Sequence, residues 1–226
     1  EKAEKLINKI IITQTDNKRN LVAANVIMGN IFRSKGDYTE AIKIYKKILK
    51  EDLDNVNASY NLSLCYLFLK EYDKGWRFHE TRYSLQSFVL LKKMSRNLSK
   101  PKWDENKPKE RILIYGEQGI GEQILYSQFF QLLQDQFQSV TVAVNFKLVS
   151  FLKKIYTNIV IIDYRKIDFF DHYDYHLPMG SLGLYFQKYF SDLNLRREIP
   201  YSENKFVVPN KIKKFRCGIS WKSTNK

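Results

Sequence analysis

Cysteine, histidine and long apolar runs are all scarce in this chain of 226 residues. No apolar run approaches the roughly 20 residues that a helix needs to cross a bilayer, so we expect no transmembrane segment. Cys65 and Cys217 lie in a helical and a strand pattern, which is typical of buried thiols in a reducing compartment and not of a disulfide. The three histidines show no metal-ligand spacing. We therefore expect a cytoplasmic protein without a bound metal.

A clustered patch of one charge is also missing, although the formal net charge is +14. The first 100 residues hold 19 basic and 11 acidic side chains, and the remaining residues hold 19 and 13. Nucleic-acid-binding proteins gather their basic residues on one face. Because the basic excess here is spread over both halves, the sequence disfavours nucleic acid as a partner.

What the chain does contain is a strand-turn-helix pattern at residues 109–137. The apolar run at 112–115 leads into a glycine-rich turn and an amphipathic helical pattern, which predicts the first unit of a parallel α/β sheet. The turn contains Gly116, Gly119 and Gly121. Such a turn places backbone N–H groups and a helix N-terminus at the carboxyl end of a strand, where open α/β sheets bind ligands. Glu122 lies in the first turn of that helix, where the helix dipole favours a carboxylate.

The spacing of these glycines disfavours two common kinds of binding site. The pattern is G-x-x-G-x-G, not the G-x-G-x-x-G of dinucleotide folds, and it lacks the Gly-Lys-Ser/Thr ending of a P-loop. Binding of NAD or ATP is therefore disfavoured, and we expect no cofactor. The alternative is that the glycines only permit a tight turn between strand and helix.

After residue 108 the pattern alternates between strand and helix. The predicted strands are 111–116, 139–145, 158–163, 174–178 and 216–221, and the predicted helices are 121–136, 147–156 and 181–191. Short connections and strands rich in valine and isoleucine predict a parallel sheet that is covered on both faces.

A second candidate cleft segment is residues 176–182, which end one predicted strand and open a helix. Ser181 is the predicted N-cap of that helix. This segment should lie at the carboxyl edge of the sheet, beside the turn after the first strand. Asp174 and His176 either face the same cleft or are strand-end residues satisfied by hydrogen bonds.

The first third of the chain repeats itself at an offset of 34 residues. The matched pairs are Gly29 and Ser63, Phe32 and Tyr66, Tyr38 and Tyr72, Ala41 and Gly75, and Tyr45 and His79. This period, with small and aromatic residues at these positions, is similar to the tetratricopeptide repeat. It predicts helices at 22–35, 38–51, 56–69 and 72–84, with Gly36-Asp37 and Lys70-Glu71 as equivalent turns. Gly29 and Ala41 should allow close helix packing, while Phe32 and Tyr45 fill the gap between hairpins.

These repeats need support from the rest of the chain. Residues 1–14 predict the second helix of an incomplete preceding repeat, and about two and a half repeats are fewer than a stable solenoid usually needs. We expect them to pack on the α/β domain, with Trp103 of the polar linker buried at the junction. The repeats serve either as a concave peptide-binding surface or as a spacer or dimerisation arm.

Five strings, in order from about residue 22 to 226, resemble bacterial tetratricopeptide-repeat glycosyltransferases of the GT-B fold, which are related to heptosyltransferases and O-GlcNAc transferases. The strings are G-W-R-F-H-E-T-R-Y at 75–83, P-K-W-D at 101–104, G-E-Q-G-I-G-E at 116–122, L-P-M-G-S-L at 177–182 and C-G-I-S-W-K-S at 217–223. The resemblance implies tetratricopeptide hairpins at 1–84, a linker at 85–108 and a Rossmann-like domain at 109–226 that ends where a second domain starts. The predicted fold class is therefore α+α/β.

The resemblance also implies an activity: metal-independent, inverting transfer of a sugar from a nucleotide-sugar donor to a hydroxyl of a glycan or protein. Glu122 stands where the family has an aspartate, the proposed general base of heptosyltransferases. The implied substrate-binding residues are Gly119, Ile120, Gly121, Gln123, Met179, Gly180 and Ser181.

In that family the second domain binds the donor. The chain begins with Glu1, lacks a signal-peptide pattern and stops near the start of the second domain, so we expect an incomplete enzyme that is inactive alone. The alternative is a non-catalytic tetratricopeptide interaction module with a degenerate transferase-like domain and a protein partner on the repeats.

Overall fold

The computed structural model describes residues 5, 7, 18–87 and 98–189, which form a helical arm followed by a parallel sheet with helices. The predicted α+α/β class is confirmed. The arm consists of α1 (Lys18–Ser34), α2 (Tyr38–Glu51), α3 (Val56–Phe68) and α4 (Tyr72–His79), followed by a 3-10 turn at Glu80–Ser84. The predicted helix 72–84 is therefore an α-helix only as far as His79.

The hairpins pack as the repeat pattern predicts. A Cβ on Gly29 would lie 2.5 Å from Cε1 of Tyr45, so only glycine lets the tyrosine ring rest against α1. Ala41 and Tyr45 are fully buried, and the Tyr45 hydroxyl donates to Oδ1 of Asn30 at 2.7 Å. Tyr45 also belongs to the apolar cluster that joins α2 to α3, with Phe32 packed against it. The two turns are equivalent because Gly36 and Lys70, 34 residues apart, both adopt a left-handed backbone, with φ of 83° and 63°.

Four strands form the sheet: β1 (Arg111–Tyr115), β2 (Ser139–Val144), β3 (Val160–Asp163) and β4 (Tyr175–Pro178). Their order is β3-β2-β1-β4 and every pair is parallel. The predicted strand 216–221 and Cys217 lie outside the described residues. Because β2 and β4 flank β1 on opposite sides, the strand order reverses at β1, and this reversal is the place where open α/β sheets bind ligands.

The helices of this half are α5 (Ile120–Tyr126), α6 (Phe130–Gln136), α7 (Phe146–Ile155) and α8 (Leu182–Phe186). Instead of the single predicted helix 121–136, α5 and α6 are separated by a 3-10 turn at Ser127–Phe129. The Ser127 hydroxyl donates to the carbonyl of Ile124 at 2.7 Å, a local bond that is known to disturb regular helix geometry.

The linker pairs with the sheet. The N–H of His176 donates to the carbonyl of Pro101 at 3.1 Å, and the N–H of Trp103 donates to the carbonyl of His176 at 2.9 Å. Trp103 is 3% exposed, so its predicted burial is confirmed. Its ring contacts, however, are Phe137 and residues at the end of α8, all within the α/β half.

The apolar junction between arm and sheet is formed instead by Trp76 of α4. A Cβ on Gly183 would lie 2.2 Å from Cε2 of Trp76, so the indole lies directly on the α8 backbone. The same indole ring is 6.1 Å from the ring of Tyr126 in α5. The arm thus packs against both helices that start at the carboxyl edge next to β1 and β4.

Candidate functional site

A fully buried arginine from the arm occupies the carboxyl edge of the sheet. Arg82 lies in the 3-10 turn after α4 and has no exposed side-chain surface. Its Nε donates to Oε1 of Glu117 at 2.8 Å, and its Nη2 donates to Oγ of Ser181 at 2.8 Å. Glu117 follows β1 and Ser181 follows β4, so one guanidinium binds the loops after both strands.

Two further groups, both partly exposed, complete this ion cluster, which we define as Glu80, Arg82, Lys102, Glu117 and Ser181. Glu80 accepts from Nη1 of Arg82 at 2.5 Å and from Nζ of Lys102 at 2.9 Å. The Ser181 hydroxyl donates to Oε1 of Glu80 at 2.8 Å. Two carboxylates and two cations balance the charge of the cluster, which joins the arm, the linker and both loops.

Burial and pairing act in opposite directions on these groups. Burial raises the pKa of the Glu117 carboxyl, and Arg82 opposes that effect only in part. Burial also disfavours the charged form of Glu80, but Arg82 and Lys102 outweigh it and lower the pKa of that carboxyl. Burial likewise opposes ionisation of Arg82, yet Glu117 and Glu80 raise its pKa, so the guanidinium stays charged.

Glu122 lies at the same edge but on the surface. It is in the first turn of α5, its side chain is exposed, and among the described residues its carboxylate has no hydrogen bond or ion pair. A Cβ on Gly119 would lie 2.8 Å from its Oε2, so the carboxylate folds back over the turn at a position where any side chain would crowd it. The site thus presents an unpaired carboxylate at a helix N-terminus.

The other predicted substrate-binding residues separate into an exposed and a buried group. Gly119 and Gly121 are exposed and Ile120 is half-buried, next to Glu122. Buried at the same edge are Gln123, Met179, Gly180 and Ser181. The expected capping by Ser181 is wrong: it precedes α8, but its hydroxyl is bonded within the ion cluster and makes no cap.

The side chain of Gln123 holds the turn after β1 in place through hydrogen bonds. Its Nε2 donates to the carbonyl of Gln118 at 2.8 Å, and its Oε1 accepts from the N–H of Asn145 at 2.9 Å. A Cβ on Gly116 would lie 2.6 Å from Cδ of Gln123, so this glycine makes room for the amide. Both polar ends of the Gln123 side chain are therefore used to connect the loops after β1 and β2.

Asp174 and His176 do not share this edge. Asp174 pairs with Arg111 at the opposite, amino end of the sheet, where Oδ1 lies 2.6 Å from Nη2. His176 lies within β4, in register with Leu113, and its ring is buried against Tyr115 at 5.7 Å. The cleft option for these two residues is therefore wrong, and Asp174 is satisfied by hydrogen bonds at the strand end.

The arm forms one wall beside Glu122 through a series of ring contacts. Tyr60 of α3 is 5.6 Å from His79, His79 is 5.3 Å from Trp76, and Trp76 contacts Tyr126, one turn after Glu122 in α5. Burial raises the pKa of Tyr60, and the charge of Glu122 adds to that rise. Tyr60 of α3 is therefore close enough to Glu122 to respond to its charge.

Residues 29–67 match the TPR repeat family model. The match covers the last six residues of α1, all of α2 and most of α3. Tetratricopeptide repeats form extended binding surfaces for other proteins. No curated protein and no solved structure matches the chain.

Two kinds of feature are absent from the described residues. No helix in that part of the chain is both long and apolar enough to cross a membrane. Within the same residues, no group of three or more histidine, cysteine, aspartate or glutamate side chains is arranged to hold a metal ion.

The sequence prediction missed Glu80, Arg82 and Glu117 as members of the site. Arg82 is 35 residues from Glu117 and 99 from Ser181, and a charged residue in a helical pattern normally predicts a solvated face. The available signal is that each of these residues lies in one of the strings that carry the family resemblance. That signal marks the three residues as candidates but does not show which residues they contact.

Proposed function

We propose that this chain is the acceptor-side part of an inverting glycosyltransferase in which Glu122 is the general base. The observation that carries the proposal is the exposed, unpaired carboxylate of Glu122 at the N-terminus of α5, beside the point where the strand order reverses. A general base needs access to substrate, and the exposure of Glu122 in the first turn of α5 supports this role.

In this reaction Glu122 accepts the proton of an acceptor hydroxyl while that oxygen attacks the anomeric carbon of the donor sugar. The bond from that carbon to the nucleoside diphosphate breaks, and the configuration inverts. The turn and helix start at Gly119, Ile120 and Gly121 border the acceptor. A donor domain outside residues 1–226 would supply the nucleotide sugar, and helix N-termini and basic groups would stabilise the leaving diphosphate without a metal.

The proposal is tested by Glu122→Gln in the full-length protein with a panel of nucleotide sugars. The amide keeps the size of the side chain but cannot accept the proton, so turnover should fall by roughly 10²–10⁴-fold while the melting temperature stays the same. Glu105→Gln is the matched control, because Glu105 is exposed on the linker and has no partner in the ion cluster. Near-normal turnover of Glu122→Gln would exclude Glu122 as the base.

A companion assay concerns residues 1–226 alone. We expect no sugar transfer from any nucleotide sugar, because the proposed donor domain is absent. Transfer by this segment would contradict the division of labour between two domains.

The second candidate is a protein-interaction module without catalysis. The repeat match at residues 29–67 favours it, together with the exposed ring of Phe68, which stacks on Tyr38 at 4.0 Å. The assay that separates the candidates is transfer by the full-length protein. If that protein binds no nucleotide sugar in calorimetry but captures a peptide through the repeats, the interaction module is supported.

A further inference from the structure

Two side-chain attachments hold the turn at residues 116–119 in place. The carbonyl of Gln118 accepts a hydrogen bond from the side chain of Gln123. The side chain of Glu117 points the other way, and its Oε1 accepts from Nε of Arg82 at 2.8 Å and from the N–H of Gly180 at 3.0 Å. The first attachment is internal to the α/β half, whereas the second takes its charged partner, Arg82, from the arm.

Arg82 is the cation that compensates Glu117 among the described residues. The second carboxylate oxygen, Oε2, is buried and has no hydrogen-bond partner in that part of the chain. The hydrogen bonds to the Glu117 carboxylate therefore end on Oε1, and the guanidinium of Arg82 supplies the compensating positive charge. Without it, a buried carboxylate is left uncompensated and must take up a proton or move towards water.

Such a movement reaches Glu122 directly. Gly119, the N-cap of α5, is two residues after Glu117, and Glu122 lies in the first turn of that helix. A shift of about 1 Å in a reacting group is enough to cost on the order of 10²-fold in rate.

We infer that Arg82 is a positioning residue: the repeat arm, through this guanidinium and Glu117, sets the turn at 116–119 and so the placement of Glu122. The effect on turnover rests on the proposed function, whereas the effect on the turn does not. The arm is therefore a structural part of the carboxyl edge as well as a carrier of repeats.

Hydrogen exchange in the full chain tests the effect on the turn without any assay of activity. In Arg82→Gln we expect the two hydrogen-bonded amides that bracket the turn, those of Gly116 and Gln123, to exchange about tenfold faster than in the wild type. Arg77→Gln is the matched control, because Arg77 lies on the same stretch of the arm but pairs with Asp73 on the surface. Unchanged exchange in Arg82→Gln would overturn the inference.

A double-mutant cycle identifies the route. Glu117→Gln should speed exchange of the same amides. Exchange in the double variant should be no faster than in the quicker single variant, because both substitutions remove the same contact. Effects that multiply would show that Arg82 acts by another path. If Arg82→Gln fails to fold, Glu117→Gln alone decides: turn amides that exchange at the wild-type rate would overturn the inference.

Turnover of the full-length protein gives the second reading. We expect kcat of Arg82→Gln to fall by about 10–100-fold with KM for the donor unchanged, and Arg82→Lys to recover part of the loss. An equal fall in Arg77→Gln, or a change confined to KM, would contradict positioning. If Glu122→Gln turns over normally, the proposed function fails, and the exchange experiment still decides the role of Arg82.

Discussion

An arginine–carboxylate pair lies at each end of strands β1 and β4, and the two pairs differ in their exposure to water. At the carboxyl end, Arg82 and Glu117 have side chains that are 0% and 1% exposed. At the amino end, Arg111 and Asp174 are 35% and 27% exposed. A pair in contact with water contributes little to stability, whereas breaking a buried pair leaves a charge that has lost both water and partner. The distance between the charged atoms alone therefore does not decide which of the two pairs matters more for stability.

The two pairs also differ in the segments of the chain that supply their residues. Arg111 and Asp174 stand at the starts of adjacent parallel strands, so strand pairing alone brings them together. Arg82 reaches Glu117 only because the arm packs against α5 and α8 through Trp76. The buried pair thus reports on the packing of two regions, and the exposed pair reports on one sheet.

The largest effect should come from Arg82→Met, which removes the guanidinium and leaves Glu117 buried and uncompensated. We expect the free energy of unfolding to fall by about 3–5 kcal/mol, measured by urea denaturation near neutral pH. Adding Glu117→Gln should recover part of this loss, because the uncompensated charge is removed. A loss below about 1 kcal/mol would place this pair in the class of surface pairs.

A smaller effect is expected from Gly180→Ala. A Cβ at this position would lie 2.1 Å from Oε1 of Glu117 and 3.1 Å from Nε of Arg82, so the buried pair must shift. Overpacking of this kind costs about 1–3 kcal/mol in thermal or urea unfolding. Gly121→Ala is the control, since nothing lies within 4 Å of a Cβ there.

Between the two ends, the buried His176 should make stability depend on pH. Burial lowers its pKa to about 4, so the folded state keeps the ring neutral while the unfolded ring takes up a proton below about pH 6.5. Its contribution is therefore full above about pH 6.5 and is lost as the pH falls towards 4. Urea unfolding of His176→Gln should show a weaker decline over this window than the wild type, and equal declines would contradict the assignment.

The smallest effect belongs to the exposed pair and lies in a separate pH window. Hydrogen bonding from Arg111 lowers the pKa of Asp174 to about 2, so its contribution is present above the ordinary carboxyl pKa of about 4 and is lost as the pH falls through 2. Asp174→Asn should barely change the melting temperature at neutral pH, and the difference should vanish near pH 2. A large loss at neutral pH would show that exposure does not separate the two pairs.

Local patterns predicted the parts of this fold that depend on local chemistry. The 34-residue period placed Gly36 and Lys70 in equivalent turns, and the apolar runs placed four strands within two residues of their observed bounds. The loop after β4 lies beside the turn after β1, as parallel topology requires. Glu122 was predicted at a helix start on the carboxyl edge, and it is found there.

The parts that could not be predicted depend on contacts between distant segments. Nothing near Arg82 indicates that its guanidinium is buried, since its partners follow strands far along the chain. Ser181 has the sequence signal of an N-cap, but its hydroxyl donates to the carboxylate of Glu80 in the arm instead of capping α8. The break at Ser127 is an intermediate case, because the competing hydrogen bond is local but optional for a serine in a helix.

The linker that borders β4 also determines where this sheet can accept another strand. The outward N–H and carbonyl of His176 are both bonded to the linker, and Pro178 has no N–H to offer. An edge without free donors is a poor template for strands of other molecules. Edge-to-edge aggregation through β4 is thereby blocked, and among the described strands β3, with Val160 54% exposed, is the side on which a new strand can pair.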